Sequence, residues 1–206
     1  GITALLGMGV SPGLTNLLAG YGARHARGEI SIDCEYVTYR PLNATAGLLE
    51  TALRQFRNGA QAPVFEGGRV EGYPPFSGRM PTRFAGLDEE IELVYTPHSE
   101  PVTIPHFIPG LKRVTVRGSY HPAIMALLKS LYEFGLLDPA RRVGIAGREV
   151  DFQPLLREAL MGEGNPLPDG IPPRYIMRVR VAGVEGGQRK VSLVTLGHDP
   201  GWDPLP

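Results

Sequence analysis

The sequence predicts an α+β fold: a mixed, largely antiparallel sheet with helices packed on one face. Three observations carry this. Residues 29–40 (EISIDCEYVTYR) alternate with period two, placing Ile30, Ile32, Cys34 and Tyr36 against Ser31, Asp33 and Glu35, as a half-buried strand does. Residues 175–184 and 188–196 alternate around Glu185-Gly186-Gly187, which predicts an antiparallel hairpin. Between them lie amphipathic stretches of helical period at 44–58, 122–134 and 150–161.

In chain order, the opening GITALLGMGVSPGLTNLLAG reads as an apolar strand over 2–6, a glycine-rich turn over 7–13 and a helix from Leu14 to about residue 27. Leu14, Leu17, Leu18 and Tyr21 give that helix its period. Pro41 ends the strand that follows, and Asn58-Gly59 ends the second helix. Residues 60–90 have the weakest periodicity and predict a hairpin at Gly67-Gly68, then a long loop over 72–86. Loops of that length in a compact domain are functional or lie against a partner. Short strands follow at 91–95 and 111–117, with the segment 100–109 between them. His121 or Pro122 opens a helix through Phe134 that Gly135 closes. Residues 142–147 predict a short extended piece, 150–161 a helix and 162–173 a loop.

Composition narrows the function classes. The 206 residues carry 21 basic and 21 acidic side chains, so no basic excess marks a nucleic-acid or anionic-membrane surface. A hydrophobic content of 42% is enough for a core. The single cysteine, Cys34, allows no internal disulfide and suits a reducing, cytoplasmic compartment. No apolar run reaches the roughly 20 residues of a membrane span. With 27 glycines and 20 prolines but no collagen period, nearly a quarter of the chain belongs to turns and loops. An apolar strand at the start and the loop-like GHDPGWDPLP at the end lead us to expect a piece of a longer protein.

The opening turn has three readings. A dinucleotide site wants G-x-G-x-x-G between strand and helix, with an acid about 20 residues on. Here Gly7-x-Gly9 is followed by Pro12 in place of the third glycine, Gly13 comes one residue late, and Asp33 and Glu35 fall mid-strand. The second reading is a strand-turn-helix with no ligand. The third is a substrate-binding turn, in which Ser11, Thr15 and Asn16 at a helix start donate to a carboxylate; against it stands simple helix capping.

The segment Met8-Gly9-Val10-Ser11-Pro12-Gly13-Leu14-Thr15-Asn16 resembles the Cys-Gly-Leu/Phe-Asp-Pro-Gly-Ile/Val-x-His/Asn segment of saccharopine dehydrogenase-like oxidoreductases. That family includes saccharopine reductase, carboxynorspermidine dehydrogenase and homospermidine synthase. Val114-Thr115-Val116-Arg117-Gly118-Ser119-Tyr120-His121, leading into a helix that ends Phe134-Gly135-Leu136-Leu137, resembles the family's Thr-Leu-Arg-Tyr-Pro-Gly-His strand and helix. Tyr95-x-x-His98-x-Glu100-x-x-Thr103 is similar to a third stretch. Together the matches cover about a third of the chain. Ser11 departs from the aspartate of saccharopine reductase, and Thr15-Asn16 resembles the carboxynorspermidine branch more, which leaves the substrate open.

The resemblance implies a fold of the glyceraldehyde-3-phosphate-dehydrogenase-like C-terminal domain type. It also implies a division of the chain: residues 1–13 as the junction strand and turn from a missing N-terminal Rossmann domain, 14–196 as the substrate-binding and dimerisation domain, and 197–206 as a linker towards a missing C-terminal helix. The implied reaction is hydride transfer between NAD(P) and the C–N bond of an amino-acid-derived imine or secondary amine. The cofactor would be held by the absent domain, and the chain would form a homodimer, its hairpin over 175–196 supplying an edge or face. On this reading the fragment alone binds no dinucleotide and turns nothing over.

The candidate substrate-binding residues are Gly9, Ser11, Pro12, Gly13, Thr15, Asn16, Arg117 and Arg40, and the candidate catalytic residues are His121 and His98. Arginine pairs with carboxylate through two parallel N–H groups; the competing role for Arg117 is an ordinary ion pair, and Arg40, with Asn43, follows a strand at an expected pocket rim. Histidine moves a proton near neutral pH, and His98 with Glu100 in a proline-bounded loop suits an acid–base pair. His121 before Pro122 equally suits a helix cap. No metal is expected, because no histidines or cysteines have ligand spacing, and Cys34 reads as core. A self-contained dinucleotide-binding protein using the Gly7–Gly13 turn and a non-catalytic dimerisation module are the rival functions.

Overall fold

The computed structural model describes residues 3, 7–24, 26–162 and 174–197. The strand expected at 2–6, the loop at 163–173 and the tail from 198 lie outside them, save Thr3. The described chain runs α1 (Leu14–Ala23), β1 (Arg27–Tyr39), α2 (Ala46–Phe56), β2 (Ala62–Glu66), β3 (Arg69–Tyr73), β4 (Met80–Arg83) and β5 (Glu90–Tyr95). It continues with α3 (Glu100–Thr103), a 3-10 turn (Ile104–His106), β6 (Leu111–Tyr120), α4 (Pro122–Glu133), β7 (Arg142–Ile145), β8 (Arg148–Asp151), α5 (Phe152–Met161), β9 (Arg174–Glu185) and β10 (Gln188–Gly197).

Eight of these strands form one sheet, with the order β10-β9-β1-β6-β2-β3. Among the described strands only β1 and β6 pair in parallel, so the sheet is mixed and mostly antiparallel, as an α+β domain requires. The free side of β6 is divided. Its first half meets β2, with Phe65 opposite Val114, and its second half meets β5, with Val94 opposite Gly118.

The helices do not share one face, contrary to the sequence expectation. The central strand is buried on both sides, and both sides therefore need cover. Ile32, Cys34 and Tyr36 point into a core with Val114, Val116, Val179 and Val181, closed by Ala19 of α1 and by Ile104. Val37 and Tyr39, of opposite parity in the strand, enter a second core with Leu93 and Ile176 and with Leu49, Leu53, Leu128 and Leu156 of α2, α4 and α5. Each such side chain contributes about 1.5–3 kcal/mol on burial.

Three other departures from expectation arise from strand pairing. β6 continues past Arg117 because Gly118, Ser119 and Tyr120 pair with Tyr36, Val37 and Thr38. Gly118 is required there, since a Cβ would collide with the Tyr36 ring. Within the expected long loop, Met80–Arg83 pairs with β5 as an edge strand that tolerates Pro81. The extended piece at 142–147 is half of a two-stranded hairpin turning at Ala146 and Gly147, both of positive φ.

Candidate functional site

The site forms where the turn before α1 meets α3, beside the carboxyl ends of β1 and β6 and the last turn of α2. The turn closes on itself. Gly9 N–H donates to Pro12 O at 2.9 Å, Leu14 N–H to Gly9 O at 2.9 Å and Thr15 N–H to Val10 O at 3.1 Å. Gly13 N–H donates to Asn16 Oδ1 at 3.1 Å. The peptide bond between Ser11 and Pro12 is cis. Gly13, at φ 130, is confined to glycine twice over: the dihedral is foreign to L side chains, and a Cβ would strike Gly9 O and Gly7 O.

These backbone bonds decide what the turn can hold. A pyrophosphate cradle needs free amides at the start of a helix. Here the amides of Gly9, Gly13, Leu14 and Thr15 are already engaged, so these four are offered neither to a pyrophosphate nor to a substrate carboxylate. The late Gly13 and the intervening Pro12 make this geometry.

The side chains of the turn converge on a carboxylate from the chain itself. Glu100, fully buried at the start of α3, accepts at Oε1 from Ser11 Oγ at 2.6 Å and from Thr15 Oγ1 at 2.6 Å. Asn16 Nδ2 donates to Thr103 Oγ1 at 2.8 Å. Ser11 Oγ also lies 3.0 Å from His98 Nδ1. Thus Ser11, Thr15 and Asn16 meet His98, Glu100 and Thr103, two stretches some 85 residues apart in sequence joined by four side-chain contacts.

His98 is ringed on its other side by Tyr36 OH at 3.3 Å and Gln55 Nε2 at 3.2 Å, and Tyr120 OH donates to Gln55 Oε1 at 3.3 Å. Burial pulls the imidazole pKa below its usual value, and the nearby Glu100 charge works the other way. Burial also raises the phenols of Tyr36 and Tyr120 and pushes Tyr175 up to about 12, so all stay protonated near neutral pH. Tyr175 stacks on Tyr36 with ring centroids 6.4 Å apart. Arg40 reaches the Tyr120 hydroxyl, and its charge is felt at Tyr175. The site therefore gathers a neutral imidazole, neutral phenols, a buried carboxylate and a guanidinium, which can exchange a proton and hold an anion.

Two candidates are placed elsewhere. Arg117 pairs opposite Glu35, so it shares the face of Asp33 and Glu35, whereas Tyr36 and the turn occupy the other. There it is held at Asp33 Oδ1 (3.3 Å), Thr115 Oγ1 (2.9 Å), Tyr95 OH (3.0 Å) and Gly78 O (2.9 Å). It anchors the segment before β4 rather than facing the turn, and Arg178 does likewise, bonding Glu35 and the Arg83 carbonyl. His121 caps α4, its Nδ1 accepting from Ala123 N–H at 3.3 Å, with its ring edge-on to Tyr39. Cys34 is buried, and burial raises its thiol well above the usual value. Tyr36, Gln55, Thr103, Tyr120 and Tyr175 were not among the candidate site residues of the sequence; a tyrosine on the apolar side of a strand is the signal, since a buried hydroxyl needs a partner. Among the described residues no group of three or more His, Cys, Asp or Glu gathers to hold a metal, and no helix is long and apolar enough to cross a membrane.

Comparison with known proteins adds a fold likeness. No protein-family model matches the chain, and no curated protein does. Among solved structures, apo saccharopine dehydrogenase (L-Glu forming) from Saccharomyces cerevisiae superposes with a TM-score of 0.52 at 11% identity. The match covers 91% of this chain and 57% of that one. At that identity the likeness is one of fold, and this chain spans little more than half of the larger structure.

Proposed function

We propose that this chain is the substrate-binding domain of an NAD(P)-dependent oxidoreductase acting on the C–N bond of an amino-acid-derived imine or secondary amine. The observation that carries it is the His98 cluster, in which Ser11, Glu100, Tyr36 and Gln55 surround one imidazole on a fold that resembles saccharopine dehydrogenase. Reactions at such a bond need a group that takes or gives a proton at nitrogen and another that fixes the substrate carboxylate. His98 supplies the first. Arg40 among the phenols of Tyr120 and Tyr175 supplies the second. The dinucleotide would be held by a domain outside residues 1–206, because the opening turn commits its amides internally. A homodimer belongs to the same reading: β10 ends the sheet with Val191, Leu193 and Leu196 exposed, a surface suited to a second copy.

Calorimetric titration of residues 1–206 tests the reading. A secondary-amine dicarboxylate such as saccharopine should bind, and NADPH should not. Tight NADPH binding would favour the self-contained dinucleotide protein instead, and binding of neither ligand would favour the dimerisation module.

A further inference from the structure

We propose that Ser11 and Glu100 are positioning residues that hold His98 in its Nδ1–H tautomer, so that the Nε2 lone pair serves as the site's proton acceptor. Hydrogen-bond inventory requires it. The single hydroxyl proton of Ser11 goes to Glu100 Oε1 at 2.6 Å. Towards His98 Nδ1, at 3.0 Å, the same oxygen has only lone pairs to offer, and Nδ1 must bring the proton. The opposite side of the ring agrees independently. Gln55 Oε1 accepts from Tyr120 OH, which turns the Gln55 NH2 group to His98 Nε2 at 3.2 Å. An NH2 group brings protons, so Nε2 accepts.

The carboxylate is fixed for this task. Thr15 Oγ1 donates to the same Oε1 and keeps Glu100 from turning. Among the described residues Glu100 Oε2 is buried without a hydrogen-bond partner, 3.9 Å from His98 Nδ1. A buried, unpartnered carboxylate oxygen is costly unless a charge develops beside it. The charge that develops is imidazolium: a substrate ammonium takes the place of the Gln55 NH2 group at Nε2, its N–H bond breaks, the electron pair stays on the now neutral nitrogen, and the proton binds the Nε2 lone pair. Glu100 then faces a cation across Nδ1, and Ser11 is an internal relay instead of a substrate ligand. Only the identity of the substrate donor rests on the proposed function; the tautomer does not.

Nitrogen-15 NMR of the His98 ring in residues 1–206 tests this without substrate or cofactor. The wild type should show a protonated Nδ1 and a bare Nε2. Ser11→Ala should move the ring to the Nε2–H form that an unconstrained imidazole prefers, and Ser11→Thr should restore Nδ1–H. Glu100→Gln keeps an acceptor for Ser11 but removes the charge, and should lower the His98 titration midpoint by about one unit. An Nε2–H wild type, a tautomer indifferent to Ser11→Ala, or a midpoint indifferent to Glu100→Gln would each overturn the assignment. Should Ser11→Ala not fold, the wild-type spectrum and the Glu100→Gln midpoint decide. Failure of the calorimetric test leaves these results standing, so the two claims fail separately.

Discussion

Asn16 ties the first turn of α1 to the last residue of α3: its Nδ2 donates to Thr103 Oγ1 at 2.8 Å while its Oδ1 accepts from Gly13 N–H at 3.1 Å. One amide thus both caps a helix and docks it. Asn16→Ala should cost about 1–2 kcal/mol. Urea unfolding should show the midpoint falling with an unchanged slope.

Gly13→Ala should disrupt the turn outright. The substitution combines a forbidden φ with a Cβ driven into Gly9 O, whereas a Cβ at Gly9 would meet Pro12 O at 3.3 Å, a much smaller overlap. We expect Gly13→Ala to lose roughly 1–3 kcal/mol for the backbone alone, and more for the collision, with Gly9→Ala the milder variant. Thermal unfolding of the pair ranks them; equal losses would argue against this geometry.

Arg40 and Arg117 should separate binding from stability. Removing Arg117 leaves Asp33 half-buried without its cation and releases the Gly78 carbonyl, so Arg117→Met should destabilise by about 3 kcal/mol and leave affinity for a dicarboxylate unchanged. Arg40→Ala should do the reverse, weakening that affinity roughly tenfold to a hundredfold with little change in melting temperature. Calorimetry and thermal scans of both variants check the crossover.

His98 predicts an acid weakness. Its pKa is depressed in the folded state, so the unfolded chain binds the proton more readily below pH 6.5, the usual value. Stability from this residue is intact above pH 6.5 and is lost as pH falls from there towards the folded pKa, at about 1.4 kcal/mol for each unit of depression. In Glu100→Gln the depression deepens and the loss extends to lower pH. In His98→Gln this component vanishes. Stability curves across pH 4.5–7.5, a range we choose to span that window (roughly three units), measure the difference; parallel curves for wild type and His98→Gln would contradict it.

How much of this was legible depends on whether the deciding contact was local. The alternation of 29–40 and the Glu185-Gly186-Gly187 hairpin were readable because strand parity and turn chemistry lie within a few residues. The bonds of Ser11, Thr15 and Asn16 to His98, Glu100 and Thr103 span some 85 residues, and no period reports them. Arg117 shows the same limit. Its strand was foreseen, but the face it takes follows from pairing opposite Glu35 and not Tyr36, and a shift of one residue in register would have sent it to the turn. Helices were expected on one face because Val37 and Tyr39 were not recognised as a second apolar row.

The closed turn also has a consequence for motion. Its amides at Gly9, Gly13, Leu14 and Thr15 are bonded within the turn, and Ser11 and Thr15 hold the same turn to Glu100, so turn and helix should open as one unit. It is a joint, not a cradle. Whatever occupies the neighbouring site meets a closed corner whose opening would also take Ser11 away from His98 and Glu100, coupling the protonation of one ring to the seating of an entire helix.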